Sequence, residues 1–80
     1  DDPRPGLALA VASGHDMVLP GTWSLLPAGK AFVDEAHAAG MRVGTWVVDD
    51  APTVRDLCGW GLDAIASNDP AMALAAVAGA

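Results

Sequence analysis

Residues 41–50 read MRVGTWVVDD, an apolar run that holds a Gly and a Trp and closes on two carboxylates. The stretches on either side, KAFVDEAHAAG and APTVRDLCGW, carry apolar residues at helical spacing. A strand this apolar, held between two helices, constrains the fold more than any other feature. It predicts a parallel strand buried on both faces by crossover helices. In such folds chemistry gathers where the strands hand over to loops at their C-terminal ends.

The same alternation runs along the rest of the chain. Phe32, Val33, Ala36 and Ala39 give residues 30–39 a helical face, and Gly40 supplies the stop. After the strand at 41–48, Asp50 and Pro52 open a helix that reaches about Trp60. LDAIAS (62–67) reads as a strand, and Asp69 as N-cap with Pro70 at the first helical position opens a final Ala-rich helix. Upstream, HDMVLP (15–20) reads as a short buried strand, and GTWSLLPAG (21–29) as a loop punctuated by Gly21, Pro27 and Gly29. Residues 4–12 fit either a strand or a helix by pattern. A shift of 47 residues pairs Asp2 with Asp49, Pro5 with Pro52, Gly14 with Gly61 and Asp16 with Asp63, which favours helix there. The order α-β-α-β-α-β-α predicts parallel strands, adjacent in sequence order, with right-handed crossovers.

Charge and length narrow the function classes. The net charge is −6, and the four basic residues, Arg4, Lys30, Arg42 and Arg55, are scattered. That leaves no basic footprint for nucleic acid or anionic lipid. No apolar run approaches the length of a membrane span. The single Cys58 excludes an internal disulfide and a paired-cysteine metal site, and on its apolar helical pattern it reads as a small buried hydrophobe. A closed barrel of eight βα units needs about 250 residues. These 80 residues hold two to three units, with strand edges left unpaired, so the expectation is part of a larger sheet.

Few residues here have the makings of chemistry. Asp50 reads as the cap of the helix that follows. Asp49 is open between capping and a role as metal ligand or acid–base group, because one cap needs one carboxylate. His37, one turn after Asp34, reads as a locally paired surface side chain, and His15 precedes a strand at its N-terminal end. GxGxxG, Walker, HExxH and GxSxG motifs are absent. Trp46 has two readings: with Gly44 and Val48 it lines the interior of a barrel, near the mouth, or it packs under the helices.

VDEAHAAGMRVGTWVVDD, the short helix after it and GWGLDAIASNDP, taken together, resemble the C-terminal end of the glycerophosphodiester phosphodiesterase family. In VDEAHAAGMRVGTWVVDD the matching residues are Ala36, His37, Gly40, Val43, Trp46, Val48, Asp49 and Asp50. In GWGLDAIASNDP they are Gly61, Asp63, Ile65, Asn68, Asp69 and Pro70. The match spans roughly residues 33–70, and the spacing from the Trp to the final Pro gives it its specificity. The chain departs from the pattern at Val47, where the family has Thr, and at Ala64, where it has Gly.

The resemblance implies a (β/α)8 TIM barrel that hydrolyses a small-molecule glycerophosphodiester to an alcohol and sn-glycerol 3-phosphate. It further implies two histidines as general acid and base, and a divalent cation (Ca or Mg) held by carboxylates. Of the family motifs that carry those groups (H-R-G, E-N-T, E-x-D and H-D), the first three do not occur in these 80 residues, and H-D occurs only as His15-Asp16, before a strand at its N-terminal end. The expectation is therefore a partial barrel domain over residues 1–80, about three βα units, inactive alone and without metal ligands of its own. Trp46 would be its one substrate-binding residue. The alternatives are a non-catalytic βα-repeat module and another phosphate-handling barrel.

Overall fold

The computed structural model describes residues 2–79. Helix α1 (Arg4–Ala12) leads to strand β1 (Met17–Val18), then come helices α2 (Thr22–Ala28) and α3 (Lys30–Ala38) and strand β2 (Arg42–Thr45). Helix α4 (Ala51–Gly59), strand β3 (Ala64–Ile65) and helix α5 (Pro70–Ala78) complete the order. The strands form one parallel sheet in the order β1-β2-β3, with Val18 opposite Val43 and Thr45 opposite Ile65. The expected parallel pairing and strand order are therefore observed, and the 47-residue shift carries α1 onto α4 and β1 onto β3 residue for residue.

The helices form where apolar spacing and end signals agree. On α3, Phe32, Val33 and Ala36 are fully buried and pack with Val43, Val54 and Leu57. Burying a side chain such as Phe32 contributes about 1.5–3 kcal/mol. The chain then reverses at Gly40 with φ 80°, a left-handed conformation that a Cβ would oppose, and the Met41 N–H closes on the Ala36 carbonyl at 2.9 Å. α4 closes in the same way at Gly61, with the Leu62 N–H on the Leu57 carbonyl at 3.2 Å.

Two expectations need correction. Residues 21–29 are not a loop, because Thr22–Ala28 is helical. The turn residues are its ends: the Gly21 carbonyl accepts from Ser24 and Leu25 N–H groups at 3.0 Å, and Gly29, with φ 75°, terminates it. Pro27 forgoes one N–H bond inside the helix, which complete burial of Leu25 offsets. The strands are also shorter than expected, β2 ending at Thr45 rather than 48. Pro20 has no N–H to give to the ladder, and its carbonyl instead accepts from the Thr45 hydroxyl at 2.8 Å. On the β1 side pairing resumes as a bridge between Gly21 and Trp46, and on the β3 side the Ala66 N–H bonds the Thr45 carbonyl at 2.9 Å and the Val48 N–H the Ala66 carbonyl at 3.0 Å.

The two faces of the sheet differ. Val43 and Thr45 lie buried toward the helices, whereas Leu19 and Ala64, which flank Gly44 on the other face, are exposed. A Cβ at Gly44 would displace the tip of the Leu19 side chain and press on Ala64 at 3.3 Å, so glycine lets these groups lie close over the strand. Val48 leaves the face on which alternation had put it with Gly44 and Trp46: it is buried in the core, and Val47 is the exposed residue. Strand alternation holds only as far as the strand does.

Candidate functional site

The C-terminal ends of the three strands gather the exposed aromatic surface of the described residues. Trp46 lies one residue beyond β2, is bridged to Gly21 and is 44% exposed. Its carbonyl accepts the Thr22 N–H at 3.0 Å, which fixes the start of α2 against the end of β2. That attachment places Trp23 beside Trp46, ring centroids 5.0 Å apart and planes at 88°. Such an edge-to-face pair stabilises by about 0.5–1.5 kcal/mol beyond its buried area. Trp23 folds back over Gly21, where any side chain would occupy the space of its indole. Trp23 is nonetheless 56% exposed.

The carboxylates at this end separate by role. Asp50 caps α4, accepting the Thr53 N–H at 3.0 Å and the Thr53 hydroxyl at 2.6 Å. The hydroxyl bond, then the backbone bond, holds its carboxyl below the ordinary carboxylate range. Asp69 caps α5 through the Met72 N–H at 3.1 Å. Asp49 caps nothing. It accepts the Asn68 N–H at 2.9 Å and the Ser67 hydroxyl at 3.2 Å, tying the turn after β2 to the turn after β3. Among the described residues no group of three His, Cys, Asp or Glu side chains converges on a common point.

A second polar cluster occupies the opposite end of the sheet. The Asp63 carboxylate accepts the Val43 N–H at 2.7 Å and meets His37 Nε2 at 2.9 Å. The backbone bond first, and His37 second, hold the Asp63 carboxyl below its ordinary range. His37 is thus paired, but across the sheet rather than with Asp34, whose partner is Lys30 at 2.9 Å. Cys58 is half-buried at the edge of the core.

Of the candidates read from sequence, Trp46 and Asp49 come to the C-terminal end, and His37 and His15 do not. Sequence reasoning missed Trp23, although its place directly after the first strand was a signal for it. It also missed Ser67 and Asn68, whose link to Asp49 crosses 18 and 19 residues.

Comparison with known proteins fits this arrangement. No curated protein sequence matches the chain. Its fold superposes with a TM-score of 0.79 on the crystal structure of a Silicibacter pomeroyi DSS-3 protein assigned as a glycerophosphoryl diester phosphodiesterase. The two are 23% identical, and the match covers 91% of this chain and 24% of that one. The family profile described as "Glycerophosphoryl diester phosphodiesterase family" matches residues 5–72. The chain belongs to the glycerophosphoryl diester phosphodiesterase family.

Proposed function

We propose that residues 1–80 are three consecutive βα units of a (β/α)8 barrel that hydrolyses a glycerophosphodiester to an alcohol and sn-glycerol 3-phosphate. The observation that carries this reading is the exposed indole of Trp46 at the C-terminal end of a parallel sheet. In barrels of this class the substrate lies at that end. The bare Leu19–Gly44–Ala64 face and the helix-covered Val43–Thr45 face suit the inner and outer sides of a barrel wall.

Within such an enzyme this segment supplies a wall. Trp46 presents an apolar surface to the substrate's glycerol or alcohol portion and excludes water from that side. Asp49, through Ser67 and Asn68, holds the turns that form the rim. The divalent cation expected of the family (Ca or Mg) finds no fitting donor set here. One oxygen each of Asp50 and Asp69 and both of Asp49 accept protein N–H or O–H groups, and no three His, Cys, Asp or Glu side chains converge among the described residues. General acid–base groups and cation ligands are therefore assigned to other parts of the barrel, and no step is routed through a metal on this segment. No helix among the described residues is long and apolar enough to cross a membrane. The substrate is a small molecule, and the scattered basic residues argue against nucleic acid as a partner.

The test is release of glycerol 3-phosphate from glycerophosphodiesters by the full-length protein, before and after chelation of divalent cations. Cation-dependent release is expected. Failure to hydrolyse any such diester would remove the reading.

A further inference from the structure

Resting on that reading of the site, we propose that Trp23 and Trp46 form an aromatic corner selecting a diester whose alcohol carries a quaternary ammonium group. The rings are perpendicular with centroids 5.0 Å apart, so the edge of one indole rests on the face of the other, and the uncovered π surface of the pair forms a corner of nearly a right angle. Both rings stay about half exposed at the end of the sheet where the substrate lies. A cation within about 6 Å of an indole centroid is attracted by the negative ring face, and Trp is the strongest partner for it. A trimethylammonium group is also weakly hydrated and apolar at its surface, so it fits a corner of two indoles better than a hydroxyl-rich alcohol does.

The surrounding charge has the matching sign. Asp49 follows Trp46 within three residues, and its carboxylate lies in the adjacent turn. Arg4, Lys30 and Arg42 are each engaged elsewhere, with Glu35 at 3.0 Å, Asp34 at 2.9 Å and Asp16 at 3.6 Å. Arg55 stands exposed on α4. An anionic alcohol group would meet two π faces and a carboxylate. A cationic one meets complementary charge on each side.

The experiment uses the full-length protein with glycerophosphocholine and glycerophosphoglycerol as paired substrates. Trp23→Leu keeps apolar area but removes the π face, and Trp23→Phe restores a smaller one. The choline-to-glycerol ratio of kcat/KM is expected to fall roughly threefold to thirtyfold in Trp23→Leu, through KM, and to recover in part in Trp23→Phe. An unchanged ratio, or equal losses on both substrates, overturns the proposal. If the wild type hydrolyses neither diester, the phosphodiesterase reading fails, and the corner is judged by tetramethylammonium titration of indole fluorescence. Saturable quenching lost in Trp23→Leu supports it. Absence of quenching, as when other parts of the protein cover both rings, overturns it.

Discussion

Asp63 joins three elements at one carboxylate: its Oδ2 lies 2.9 Å from His37 Nε2 on α3 and 2.7 Å from the Val43 amide of β2, while Asp63 itself leads into β3. The cluster lies at the N-terminal end of the sheet, opposite the aromatic pair, and its work is structural. Asp63→Ala should cost about 1.5–3 kcal/mol, the range for hydrogen bonds to a charged group. Denaturant unfolding of the full-length protein measures this, and KM for substrate should not move. A change in KM with unchanged stability would contradict the assignment.

The same carboxyl sets a pH dependence. Asp63 titrates below its ordinary value of 3.8 in the folded chain, because the Val43 amide and then His37 favour the ionised form. Its contribution is therefore fully present above pH 3.8 and lost as pH falls below that value through the folded pKa. The acid limb of a stability–pH profile should be shallower in Asp63→Asn than in the wild type. Identical acid limbs would count against the link.

Asp49 gives a second contrast. An Asn at this position can still accept the Asn68 N–H and the Ser67 hydroxyl, whereas an Ala cannot. Asp49→Asn should be mild, and Asp49→Ala should destabilise by about 0.5–1.5 kcal/mol, the net worth of hydrogen bonds whose exposed donors water can still reach. Unfolding midpoints of the two variants decide it. Equal losses would mean that the charge, not the hydrogen bonding, is what matters there.

The 80-residue chain on its own should release no glycerol 3-phosphate and should self-associate, because β1 and β3 are the outer strands of the described sheet. Sedimentation velocity and a product assay test both. A monodisperse monomer that hydrolyses the diester would contradict the wall-segment reading.

Much of this was legible because it is local. The caps Asp50 and Asp69 and the glycine stop at Gly40 act within a few residues, and each was placed by spacing alone. Gly21 and Gly29 misled for the same reason. Glycines that end a short helix look like glycines in a loop, and only the burial of Leu25 distinguishes them. The partners of His37 and Asp49 were invisible because they lie 26 and 18–19 residues away, brought near by strand pairing. Val47 and Val48 exchange their expected faces because regular pairing stops at Thr45, a break set by Pro20 on the neighbouring segment.

The most direct test of the account is the kinetics of Trp46→Ala in the full-length protein, with divalent-cation affinity measured in parallel. If Trp46 is a wall of the substrate pocket, KM rises while cation affinity stays nearly constant, and the protein remains folded, losing about 0.5–1.5 kcal/mol of stability with the Trp23 pair. The kinetic loss should be on the order of 1–3 kcal/mol, the scale for lost contact in an apolar pocket. If instead the substitution unfolds the protein and leaves the kinetics of the folded fraction unchanged, Trp46 is a packing residue and the site assignment is wrong.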